Sequence, residues 1–354
     1  MAAVAILGGG VMGLATAWRL AERGHEVRVY EARSVGHPGG SSHGRTRVFR
    51  TAYDHPAYAA MALAALPLWR ELEEEGTPLL RVTGGIDLGD EAALSRCAEA
   101  MAAGGAQAEW LEPEQIRERF AWLRPSGRGL YSPDAGVIDA AATVRILADR
   151  ARAAGATIVE GARAAIEDAS ERGVALRVKD ERVNADACVV TAGAWVPRLS
   201  PVAFPVSVTE EQVFYVDGPA GVVPVIWRAQ RFFYTVPPFT ASGTMKVGEH
   251  GAGPPVDPDR PRARVDPARA APLGSWLAQT IPAAGPLETD GESCLYTTTP
   301  DEHFVIDRQG AIVIGSPCSG HGFKFAPLIG EALACLATGR EPPFDLAPFS
   351  LGRF

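Results

Sequence analysis

Few folds are open to a chain that runs Val4-Ala5-Ile6-Leu7 directly into Gly8-Gly9-Gly10-Val11-Met12-Gly13. Four apolar residues in a row suit a parallel strand buried on both faces. Gly8, Gly10 and Gly13 then fall at G-x-G-x-x-G spacing. The first permits a sharp turn, the second lets a pyrophosphate approach the backbone, and the third lets helix and strand pack closely. A helix is expected over 12–22, with Leu14, Ala17, Trp18 and Leu20 to bury and Gly24 to stop it. A second strand is expected over 27–30. Glu31 follows, eighteen residues past Gly13, where a carboxylate can accept both hydrogen bonds of a ribose diol. Gly8, Gly10, Val11, Met12, Gly13, Glu31 and Ala32 are thus candidate contacts to a dinucleotide whose type the motif leaves open. The bland alternative is a glycine-rich strand–helix turn.

The 354 residues suffice for two domains, each with its own core. A net charge of −8 argues against a nucleic-acid partner, which calls for a basic patch. The basic residues are almost all arginine, and the three lysines are Lys179, Lys246 and Lys324. Cys97, Cys188, Cys294, Cys318 and Cys335 are scattered with no C-x-x-C pair, so no metal site and no disulfide framework is expected. The apolar start lacks a basic leader and is better explained by the fingerprint. No stretch reaches the length of a membrane span, and a cytoplasmic protein is expected.

Beyond Glu31 the pattern breaks into a polar, Gly-rich loop over 34–47 that carries His43, Arg45 and Arg47, with Arg50 just after it. Such a loop either lays cations along an anionic cofactor or is simply solvated. Helices are expected over 56–75 (with Ala60, Leu63, Leu66 and Leu68 inward and a kink at Pro67), 91–103, 113–120 and 140–153, the last capped by Asp139 and stopped by Gly155. Short strands are expected over 79–88 around Gly84 and Gly85, and further strands over 157–159, 174–178 and 187–190. The last of these meets Gly193 and Trp195, where small residues let backbone approach a ligand. Pro-rich residues 201–284 suggest a mostly antiparallel sheet, with strands at 206–208, 212–216, 232–236 and 244–247. A strand over 311–314, a Gly-rich loop over 315–325 and a helix over 326–337 repeat the anion-binding arrangement. The expected architecture is α/β. A discontinuous Rossmann-like domain takes 1–78, 139–200 and 294–354, and a second, mostly antiparallel β domain carrying helices takes 79–138 and 201–293.

Four segments together resemble the monomeric sarcosine oxidase and N-methyltryptophan oxidase family of FAD-dependent amine oxidases. They are Ser42-His43-Gly44-Arg45-Thr46-Arg47-Val48-Phe49-Arg50, Cys294-Leu295-Tyr296-Thr297, Asp301-Glu302-His303-Phe304-Val305-Ile306-Asp307 and Ser319-Gly320-His321-Gly322-Phe323-Lys324-Phe325. The resemblance spans nearly the whole chain. It implies FAD bound covalently through a cysteine sulfur to the 8α-methyl group, with Cys294 at the matching position. Cys318 is the alternative thiol, while Cys97, Cys188 and Cys335 read as buried small hydrophobes. Lys324 and Arg50 match the pair that grips the substrate carboxylate. Lys246 matches a lysine over the flavin near N5, where a positive charge stabilises superoxide forming from O2. His43 and Arg47 match residues near the flavin's reactive face, and His250 a histidine of the substrate cavity. Tyr234 and Tyr296 are either cavity walls or plain core. Ser42, Thr46, Gly193, Trp195, Gly320, Gly322 and Phe323 join the cofactor set, with residues 320–322 offering backbone donors to the flavin C2 carbonyl. Arg45 and Glu249 depart from the family pattern and are expected at the cavity entrance.

The function so implied is oxidation of a secondary amino acid to an imine by FAD, with O2 reduced to H2O2 and the amine reacting unprotonated. The expected partners are a small amino acid and O2, and the protein is expected to act as a monomer. Four rivals stand beside it. They are an oxidase of glycine, a cyclic imino acid or a biosynthetic intermediate; an FAD-dependent dehydrogenase; an NAD-dependent dehydrogenase; and a non-catalytic flavin-binding protein.

Overall fold

The fingerprint lies at the one place where a parallel sheet changes direction. In the computed structural model, which describes residues 1–73, 76–240, 242–260, 265–288 and 291–354, the strand Ala3–Leu7 is central in a six-stranded sheet. Parallel to it on one side runs Glu26–Tyr30, followed by Thr157–Val159. Its other neighbour is Ala187–Val190, itself parallel to Ile312–Ser316. Val305–Gln309 closes that edge antiparallel. Because strand order reverses about Ala3–Leu7, the crevice beyond its carboxyl end is the ligand site such sheets offer.

Helix Val11–Glu22 packs against Ala140–Ala153 and Ala326–Ala337 on one face of this sheet. Leu14, Ala17 and Leu20 are fully buried, and burial of a leucine contributes about 1.5–3 kcal/mol. Gly13 has no room for a side chain, since a Cβ there would stand 2.0 Å from the Gly8 carbonyl oxygen. Asp139 caps Ala140–Ala153 as expected, accepting from the Ala142 amide at 2.9 Å.

A second, eight-stranded sheet has the order Glu292–Thr298, Ser207–Val216, Met245–Glu249, Phe232–Val236, Val225–Arg228, Gly85–Gly89, Gly129–Ser132, Glu109–Leu111. Its pairings are antiparallel except for Val225–Arg228 with Gly85–Gly89. Two expected strands, 206–208 and 212–216, form the single strand Ser207–Val216. Glu292–Thr298 belongs to this sheet, so the expected domain boundary at 294 falls inside a strand. The helix Ala270–Thr280 covers part of the sheet and has no counterpart in the sequence reading.

Three expectations need correction. Residues 46 and 47 are not loop: Thr46–Phe49 is a strand, paired with Gly136–Asp139, which in turn pairs with Leu80–Val82. Helix Pro56–Leu72 runs unbroken through Pro67, which is exposed, and the expected end at 75 lies outside the described residues. That helix also buries a different face. Tyr58, Met61, Ala62, Ala65, Trp69 and Leu72 are inside while Ala60 is exposed, because the aromatic rings offer more area to bury. Among the described residues no helix is long and apolar enough to cross a membrane.

Candidate active site

Successive side chains of a strand point to opposite faces, so residues two apart share one face. Phe232, Tyr234 and Val236 on one strand, Lys246 on the next, His250 just beyond it, and Cys294 with Tyr296 on a third all line a single cavity of about 170 Å³. Gly248, in the same row, lacks a side chain because the Tyr234 hydroxyl lies 2.5 Å from where its Cβ would stand. The opposite wall comes from the parallel sheet. It consists of Gly10, Val11 and Met12 at the start of the first helix, Ser42, His43 and Gly44 of the loop, Arg47 and Val48 of the strand after it, Arg50, Thr191, and the loop that runs from Ser316 to Lys324. That loop is tightly wound. Ser319 sits at φ 37° and is buried, and a Cβ on Gly320 would fall 2.1 Å from the Tyr296 ring. A non-glycine residue held at positive φ stores strain of a kind that clusters at functional sites.

A second cavity, of about 260 Å³, is lined by Gly8, Gly9, Glu31, Ala32, Arg33 and Trp195 among others. The Glu31 carboxylate accepts from the Gly9 amide at 2.8 Å and the Arg33 amide at 2.8 Å. The two cavities meet at Gly10, Ser41, Ser42, Thr191 and Gly193. This junction is the amino end of helix Val11–Glu22, which has no acidic residue in its first turn and is a ready anion site. An elongated molecule with an anionic middle fits this space.

Electrostatics divide the first cavity. Arg50 and Lys324 are buried, and among the described residues neither has a carboxylate partner. The Lys324 ammonium donates to the Tyr53 hydroxyl at 2.8 Å and the His321 carbonyl at 2.5 Å. Arg50 donates to the Ala52 carbonyl at 2.8 Å and lies 4.1 Å over the Tyr53 ring. Burial first, then Arg50 and Arg47, holds the Lys324 pKa well below its usual value. Lys246, whose amine donates to the Thr46 carbonyl, is lowered to about 7 by burial and by Arg47. Burial, with the neighbouring cations Arg50 and Lys324, lowers His250 to about 4. The Cys294 thiol is raised by burial, against the opposing pull of Arg47 and Lys246.

Several sequence candidates stand elsewhere than expected. Thr46 does not line either cavity, and its carbonyl instead anchors Lys246. Gly13 lines neither, acting only in packing. Arg47 reaches the cavity wall, but its guanidinium donates to the carbonyls of Ser41, His43 and Thr46, so it shapes the loop. His43 has one ring nitrogen 3.1 Å from the Ser293 carbonyl. Of the expected amide donors in 320–322, that of His321 is spent on the Cys318 carbonyl. Arg45 and Glu249 line neither of these two cavities. Arg45 lies over the Tyr215 ring and Glu249 pairs with Arg231 at 2.5 Å. Tyr53 and Phe232 were missed, and nothing in the sequence around them offered a signal, whereas Thr191 and His321 lie in segments expected to approach a ligand.

The model of the DAO family, FAD dependent oxidoreductases, matches residues 3–336. The chain belongs to this family. It is 32% identical to the peroxisomal sarcosine oxidase of Homo sapiens over 99% of this chain and 95% of that one. It is 30% identical to the N-methyl-L-tryptophan oxidase of Salmonella heidelberg over 99% and 98%. Among solved structures, the open form of NikD, an unusual amino acid oxidase essential for nikkomycin biosynthesis, superposes with a TM-score of 0.84 at 25% identity, covering 99% and 97% of the two chains. FAD is therefore the dinucleotide, and the chain is an oxidoreductase. The joined cavities and the helix end between them fit that cofactor.

Proposed function

We propose that this chain is a monomeric oxidase of a secondary amino acid, converting it to the imine with O2 reduced to H2O2. The observation that carries the reading is the Arg50–Lys324 pair, two buried cations that among the described residues have no carboxylate partner and that face an aromatic-walled cavity. Such a pair costs folding energy unless an anion completes it. An amino acid's carboxylate does so, and two cations fix its orientation as well as its position. The sarcosine and N-methyltryptophan oxidases that the chain resembles act on substrates of this class.

In this reading Glu31 holds the adenosine ribose and the amino end of Val11–Glu22 the pyrophosphate. Ser42, His43, Gly193, Trp195, Gly320, Gly322 and Phe323 border the rest of FAD. Bound FAD supplies the two-electron acceptor for the C–H bond next to the substrate nitrogen. Cys294 is the covalent attachment point, with Arg47 and Lys246 favouring its thiolate against burial. Cys318, whose sulfur accepts from the Thr297 amide at 3.3 Å, is the alternative. Lys246 presents a buried amine that, when protonated, stabilises negative charge developing on O2. His250 stays neutral at physiological pH and shapes the cavity with Tyr234 and Tyr296. Neutral surroundings and the nearby cations favour the unprotonated substrate amine, so activity is expected to rise with pH through the bound amine's pKa.

The test is to purify the protein and assay H2O2 with N-methyl amino acids, glycine, proline and pipecolate. Yellow colour retained on acid precipitation supports the covalent link. Formation of H2O2 with N-methyl amino acids supports the function, and its absence with every amino acid refutes it.

A further inference from the structure

The cavity holding Arg50 and Lys324 has a polar neighbour. A hollow of about 330 Å³ is lined by Asp54, Asp90, Arg96, Arg228, Gln230 and Phe232, together with small or buried residues. Asp54, Asp90, Arg96 and Gln230 are exposed, so the hollow opens to solvent. Among the described residues, Phe232 alone borders both this hollow and the inner cavity. The Arg228 guanidinium lies 5.2 Å from the centre of its ring and that of Arg50 5.7 Å. Both guanidiniums donate to the Ala52 carbonyl, at 2.7 and 2.8 Å. Phe232 opens the strand Phe232–Val236, and its carbonyl accepts from the His250 amide at 2.9 Å. Its backbone is thus pinned while its half-buried ring stands between two cations.

We propose that the outer hollow is the vestibule through which the amino acid reaches the inner cavity, and that the Phe232 ring is the gate between them. The inference rests on the reading of the inner cavity as an amino-acid site. The vestibule's chemistry suits a zwitterion, with Asp54 and Asp90 for the ammonium group and Arg96 for the carboxylate. Arg228 is already paired with Asp87 at 2.7 Å, whereas Arg50 has no such partner among the described residues, so a carboxylate gains by moving inward past the ring. The cation–π contacts to Arg228 and Arg50 hold the ring in place. A gate slows arrival and departure alike and leaves affinity nearly unchanged, whereas a wall residue acts mainly on departure.

The experiment mixes the holoenzyme with acetate or phenylacetate in a stopped-flow instrument and follows the flavin absorbance. Phe232→Ala is expected to raise both rate constants by about tenfold for phenylacetate and less for acetate, with Kd within about threefold of wild type. Phe232→Trp, which keeps an aromatic ring for folding, is expected to lower both. Rates unchanged in both variants, or a change confined to departure, overturn the gate while leaving the amino-acid site standing. No spectral response to either carboxylate in the wild type overturns both.

Discussion

Replacing Lys324 with methionine removes one charge of the proposed carboxylate grip while keeping an unbranched chain of similar length. Among the described residues the wild-type ammonium donates two hydrogen bonds, to the Tyr53 hydroxyl and the His321 carbonyl, and has no carboxylate partner. A carboxylate therefore adds a charge-assisted hydrogen bond rather than displacing an ion pair. Such a bond is worth about 1.5–3 kcal/mol, so a simple carboxylate should bind the variant holoenzyme roughly 10- to 150-fold more weakly. The same substitution should stabilise the free protein, with a definite pH signature. The folded pKa of Lys324 is lowered, so over the window from that pKa up to about 10.4 the unfolded chain binds more protons and stability rises with pH. The penalty is greatest below the folded pKa and fades toward about 10.4. The variant should melt higher than wild type at low pH and lose that advantage as pH rises. Carboxylate titrations followed by flavin absorbance, with melting curves across pH, read both effects. A variant that binds carboxylates as tightly as wild type refutes the reasoning.

Three further outcomes follow from the site. Lys246→Met should slow flavin reoxidation by O2 by about 10²–10³-fold while leaving anaerobic reduction by substrate largely intact; equal loss in both half-reactions contradicts the role given to Lys246. Glu31→Gln keeps an oxygen for only part of the ribose and backbone contacts, so apoprotein should take up FAD with about tenfold lower affinity in a fluorescence-quenching titration; unaltered affinity counts against the ribose contact. Cys294→Ser should release its yellow colour on acid precipitation while Cys318→Ser retains it, and the reverse result moves the attachment to Cys318.

Where function depended on local chain geometry, it was legible. The strand, glycine turn and helix from Ala3 to Glu22 show in the spacing of apolar and glycine residues, and Asp139 is recognisable as a cap. The scarcity of lysine also pointed correctly to two unusual environments, since Lys246 and Lys324 are both buried. The third, Lys179, occupies the hairpin turn between Val174–Val178 and Glu181–Ala185 at φ 53°. What escaped were features made by distant pairings. Thr46 and Arg47 read as the end of a polar loop until Gly136–Asp139 supplies the hydrogen bonds that make Thr46–Phe49 a strand. Tyr53 is an ordinary tyrosine in sequence and gains significance only from Lys324, 271 residues away. Phe232 likewise is one more strand aromatic until Arg50 and Arg228 converge on it. Glu249, where the sequence departs from the family pattern, is ion-paired with Arg231, a partner eighteen residues away that the sequence alone does not reveal.

The central claim is that the space beside Arg50 and Lys324 takes an amino acid which FAD then oxidises. Its most direct test is anaerobic mixing of the yellow holoenzyme with sarcosine and other N-methyl amino acids, followed by admission of O2. The account predicts bleaching of the flavin by at least one of them, loss of that bleaching in the Arg50→Gln and Lys324→Met variants, and one H2O2 per flavin on reoxidation. Bleaching that survives in both variants, or no bleaching by any amino acid, would contradict it.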